Sequence, residues 1–82
     1  MKLPRDLEGA KLASLLRRHG YQVTRQTGSH MRMTSTVRGP EHHVTIPAHK
    51  ALGVGTLRQV LGEVATYLEM DVAALLDDLF RR

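Results

Sequence analysis

The hydrophobic pattern of this chain changes period twice, and that change bounds the folds open to it. Leu12, Leu15 and Leu16, with Ala13 among them, recur at the spacing of one helix face. Further along, apolar and polar residues alternate. Tyr21 and Val23 alternate with Gln22 and Thr24, Met31 and Met33 with His30, Arg32 and Thr34, and Val44 and Ile46 with His43 and Thr45. Alternation with period two makes strands that have one buried and one solvated face. After Gly53 and Gly55 the helical period returns in Leu57, Val60, Leu61, Val64 and Leu68, with Thr56 as cap or first-turn residue. A last helix follows Asp71, its expected cap, and carries Val72, Leu75, Leu76, Leu79 and Phe80 as an apolar stripe. The order is helix, three strands, helix, helix. This predicts an α+β fold in which helices cover one face of a three-stranded antiparallel meander and leave the other face open.

The first helix is expected over residues 7–19, with Asp6 or Glu8 at its start, Arg17 and Arg18 at its end, and Gly20 just past the last turn. Strand-like runs are expected over residues 21–26 and 31–36, and a short third strand around Val44 and Ile46, stopped by Pro47. Arg38, Gly39, Pro40 and Glu41 form the intervening turn, so His42 falls in a loop and His43 on the outward side of the third strand.

Eighty-two residues are expected to make a single domain, 1–82, with a compact core. With no cysteine there is neither a disulfide framework nor a thiolate metal ligand, which suits a reducing cytoplasm. No apolar run approaches the ~20 residues of a membrane span, and the first residues lack the apolar stretch of a signal peptide. Charge is unevenly spread. Residues 1–58 hold ten Lys and Arg against three Asp and Glu, whereas residues 59–82 hold two against five. A basic body suits a polyanionic partner such as nucleic acid, and an acidic terminal helix suits a structural or protein-facing role.

His30 is the residue on which chemistry is expected to centre. It follows Gly28 and Ser29 at the bend between two strands, and a tight turn holds such an imidazole against rigid sheet within reach of a ligand. Arg32 shares its outer face, and Arg25 lies on the preceding strand. The plainer reading is a histidine that tolerates a turn beside solvated arginines. His42, His43 and His49 invite a metal site, but there is no cysteine and no pair of histidines at helical spacing to hold one, so no metal is expected. Lys50 and Arg58 flank the start of the second helix, where backbone N–H groups attract phosphate.

With these segments in place, the chain resembles the HicA family of toxin ribonucleases. The resemblance runs through Lys2-Leu3-Pro4-Arg5, Gly20-Tyr21, Arg25 followed by Gly28-Ser29-His30, His43-Val44-Thr45-Ile46-Pro47, His49-Lys50 and Gly55-Thr56-Leu57-Arg58. Two departures are Met33, where relatives often have an aromatic residue, and Ala51-Leu52-Gly53-Val54, where they are often rich in lysine. The resemblance implies a double-stranded RNA-binding-domain-like fold, α-β-β-β-α, to which this chain adds a C-terminal helix. It also implies an mRNA interferase, a metal-independent endonuclease without a small-molecule cofactor, whose catalytic residue is the histidine of Gly-Ser-His, here His30. Its partners would be mRNA and a HicB-like antitoxin. RNA supplies its own nucleophile, so the chemistry needs a base for the 2′-hydroxyl proton and positive charge at phosphorus. Arg25, Ser29, Arg32, Lys50 and Arg58 are the expected RNA-binding residues. The alternatives are a non-catalytic RNA-binding module of the same fold and a protein-interaction subunit that docks through its acidic helix.

Overall fold

The computed structural model describes residues 3–80; Lys2 of the family-like opening lies outside them. The elements are α1 (Gly9–Leu16), extended by one 3-10 turn (Arg17–His19), β1 (Gln22–Thr27), β2 (His30–Ser35), β3 (His42–Pro47), α2 (Val54–Leu68) and α3 (Val72–Phe80). The sheet is antiparallel in the order β1-β2-β3. This is the expected α+β arrangement, with the helices on one face of the meander. Met31, Met33, Val44 and Ile46 point into the core against Leu12, Leu16, Leu57, Leu61, Val64 and Leu75. No helix of the described residues is long and apolar enough to cross a membrane.

The first helix starts two residues later than its pattern suggests, because backbone pairing claims the residues before it. Leu52 donates its N–H to the Leu7 carbonyl at 2.7 Å, Glu8 bridges Ala51, and the Gly9 N–H reaches the Lys50 carbonyl at 3.3 Å. Residues 7–9 are therefore tied to the loop between β3 and α2, and Leu7 and Glu8 are extended rather than helical. Gly9 then passes so close to β3 that a Cβ there would overlap the Pro47 carbonyl oxygen. Since the obstacle is backbone at a strand end, relief requires moving α1 or β3. Gly9→Ala is expected to cost about 1–3 kcal/mol or more, measured as a lowered midpoint in urea with an unchanged slope.

Two other boundaries differ from expectation. Gly53, extended at φ −66° and ψ 154°, is the cap of α2, so Gly55 and Thr56 lie inside the first turn. β3 begins at His42, which pairs with Ser35, so His42 is a strand residue facing the core side. The Tyr67 hydroxyl explains the earlier start. It donates to the Pro40 carbonyl at 2.6 Å and accepts the Arg38 N–H at 3.0 Å, fastening the β2–β3 turn to α2 and holding the chain extended from His42 onward. At the end of α2, Glu69 adopts the left-handed conformation, and the Met70 N–H returns to the Ala65 carbonyl at 2.9 Å. Asp71 then takes the capping position of α3, with its carbonyl accepting the Leu75 N–H.

Candidate nucleic-acid interface

His30 is the first residue of β2, paired with Thr27 across a two-residue turn and with Pro47 of β3. The turn works because Gly28 supplies φ +53° at its first central position, where a side chain would be strained. Ser29 lies in that turn, and its carbonyl accepts the Ala48 N–H at 2.6 Å. The backbone carrying His30 is thus held on both sides, while its imidazole is exposed. Among the described residues no group hydrogen-bonds or pairs with that ring.

One row further along the open face, Arg32 lies between Arg25 of β1 and Thr45 of β3. Simple alternation would put Arg25 on the same side as Val23, facing the core. A bulge between Val23 and Arg25 reverses this and sets Arg25 directly across from Arg32. Both guanidiniums are exposed and free of carboxylates among the described residues, and the three strands contain no Asp or Glu. Like charges directly opposite each other in a sheet are unfavourable. An anion bound between them would relieve that cost, and two planar forks suit the oxygens of a phosphate.

The third row is a hydrogen-bonded chain. Thr24 Oγ1 and Thr34 Oγ1 share a hydrogen bond at 2.8 Å, Thr34 Oγ1 and His43 Nδ1 share another at 2.7 Å, and His43 Nε2 lies 3.4 Å from Glu41 Oε1. His43 does face outward as expected, but both its nitrogens are engaged. Four residues along a strand also put its row roughly 13 Å from that of His30, too far for the two to serve one phosphodiester.

The remaining histidines are dispersed. His42 packs inward, stacked on Tyr67 with centroids 4.8 Å apart, and its Nδ1 shares a hydrogen bond with the Tyr21 hydroxyl at 2.7 Å. Burial, with Tyr67 and Glu63 nearby, pushes the Tyr21 phenol well above its ordinary range, so it keeps its proton. His19 pairs with Asp78 at 2.6 Å. His49 is exposed in the loop after β3. Among the described residues no three His, Cys, Asp or Glu side chains cluster as metal ligands would.

The other expected site residues divide. Lys50 lies in the loop tied to Gly9, following the segment anchored on the Ser29 carbonyl, so it belongs to the end of the molecule that carries His30. Arg58 does not join them. It lines an open groove with His42, Glu63 and Tyr67, beside α2. The Tyr21–His42–Tyr67 cluster has no local signal in the sequence, since its members lie just before β1, on β3 and on α2 and meet only through tertiary packing.

Residues 9–65 match the model of a protein family described as HicA toxin of bacterial toxin-antitoxin. Neither the curated proteins nor the solved structures provide a match.

Proposed function

The chain belongs to the HicA toxin family of bacterial toxin-antitoxin systems, and on that premise we propose that it is an mRNA endonuclease of the cytoplasm, held in check by a HicB-like antitoxin. The observation that carries this reading is the open sheet face, where an unpartnered imidazole at the start of a rigid strand stands one row from two unpaired arginines. His30 accepts the 2′-hydroxyl proton, and the 2′-oxygen attacks the adjacent phosphorus. The bond to the 5′-oxygen then breaks, and that oxygen takes up a proton from His30 or from water, leaving a 2′,3′-cyclic phosphate and a 5′-hydroxyl. Arg25 and Arg32 hold the scissile or flanking phosphate and balance the negative charge that grows on it. No step calls on a metal or a cofactor. Ser29 and Lys50 contribute contacts at the His30 end, and Arg58 a phosphate contact away from it.

The open face explains what kind of recognition to expect. Its side chains are arginine, threonine, glutamine and histidine, with no Phe, Tyr or Trp on which a base could stack. Contacts therefore fall chiefly on phosphates and hydroxyls. The test is incubation of the purified protein with a defined RNA in the presence of a chelator. Expected are fragments ending in cyclic phosphate and binding that weakens with salt by a log-log slope near −0.7 per phosphate contacted on single strands. Arg32→Glu should weaken binding across all sequences. Cleavage that appears only when metal is added, or binding indifferent to Arg32→Glu, would overturn the assignment. Binding without cleavage would leave a non-catalytic RNA-binding module.

A further inference from the structure

The two edges of the sheet are unlike. β1 carries a bulge and an arginine, devices by which natural proteins keep an edge from pairing with another strand. β3 is regular throughout its pairing with β2, lacks Lys, Arg, Asp and Glu, and has no strand beyond it among the described residues. Pro47, at its end, lacks a donor and has its carbonyl against Gly9 of α1, so the open part of the edge is residues 42–46. Along this edge runs a groove whose floor and near side are His43, Val44 and Thr45, and whose far wall is the α2 face made by Thr56, Gln59, Val60 and Glu63, about 320 Å³ in volume. Gln59 and Glu63 also line the adjoining groove of His42, Arg58 and Tyr67, so the slot continues along α2.

We propose that this slot receives an extended segment of the antitoxin, which adds to β3 as a fourth strand. A strand edge offers backbone N–H and C=O groups in alternation, and another polypeptide in extended form matches that alternation directly, whereas a nucleic acid does not. Side chains of the added strand would alternate too. One set meets the α2 wall, where Gln59 donates to Glu63 at 3.4 Å and polar or cationic groups find partners; the other set faces outward beside His43 and Thr45. The slot is distinct from the row of His30, so a partner anchored at the edge can extend over the open face without competing for its grip on the toxin.

This rests on the antitoxin being a polypeptide, and the experiment separates failure of that premise from failure of the edge assignment. The chain has no cysteine, so single cysteines can be placed at Gln59 on the wall and at Gln22 on β1, both exposed, in the His30→Ala background. Each is conjugated to a bulky maleimide-polyethylene glycol, and binding of purified cognate antitoxin is measured, together with amide exchange across β3. Expected are at least tenfold weaker binding for the Gln59→Cys conjugate, little change for the Gln22→Cys conjugate, and slowed exchange of β3 amides in the complex of the unlabelled protein. Antitoxin binding that the Gln59 conjugate leaves intact, equal loss from the Gln22 conjugate, or unaltered β3 exchange would overturn the proposal. Protection of β3 in the toxin alone that grows with concentration would overturn it in favour of a second copy of this chain. Absence of any binding by the unmodified protein would instead overturn the polypeptide antitoxin and the proposal with it.

Discussion

His30→Ala is expected to slow RNA cleavage by about 10²–10⁴-fold and to abolish growth arrest, while the protein stays folded and still binds RNA and antitoxin. The imidazole is exposed and makes no hydrogen bond among the described residues, so its removal takes away proton transfer and little packing. Neither of the other two strand histidines is placed to substitute. His43 is engaged at both nitrogens by Thr34 and Glu41, and His42 is turned inward against Tyr21 and Tyr67. His43→Ala should therefore be much milder, and His49→Ala, in the loop after β3 and outside the Gly-Ser-His turn, is expected to be milder too. The decisive comparison is single-turnover cleavage of one RNA by each variant, with circular dichroism as the control for folding. A folded His30→Ala protein that cuts at the wild-type rate would remove His30 from the chemistry.

The parts of this fold that were legible in the sequence are those governed by local rules. Period-two alternation at Met31 and Met33 and at Val44 and Ile46 correctly assigned the buried side of β2 and β3, and Gly28 marked the hairpin that presents His30. Contacts between distant segments set the rest. Helix α1 starts at Gly9 because residues 7–9 pair with 50–52, and no local signal in Leu7-Glu8-Gly9 announces that pairing. Tyr67 extends β3 back to His42 by seizing a turn twenty-seven residues away from it at Pro40. The bulge at Val23 is the most consequential case. Strict alternation puts Arg25 on the core side, yet the extra residue brings it opposite Arg32 and so creates the paired guanidiniums of the candidate site. The sequence placed both arginines near His30 without being able to place them beside each other.

Removing α3 should have the largest effect on stability, and family membership alone would not suggest it, because the family match ends at residue 65. Leu75, Leu76 and Leu79 are 0%, 7% and 2% exposed and belong to the same core as the strands and the other two helices. Full burial of such side chains is worth about 1.5–3 kcal/mol each, so together they contribute on the order of the whole net stability of a small domain, roughly 5–15 kcal/mol. The helix is also fastened at its end, where the Arg18 guanidinium donates to the Leu79 carbonyl at 2.8 Å and His19 meets Asp78. These contacts bind α3 to the 3-10 turn at the end of the first helix, so its loss also leaves Arg18 and His19 without these partners. A chain ending at Met70 is therefore expected to lose its cooperative thermal transition. Leu75→Ala, which leaves the helix in place, should cost about 2–5 kcal/mol and lower the melting temperature while the rate of RNA cleavage in the folded protein stays near that of the wild type. A shortened chain that melts at the full-length temperature but no longer binds antitoxin would make α3 a docking element rather than part of the core.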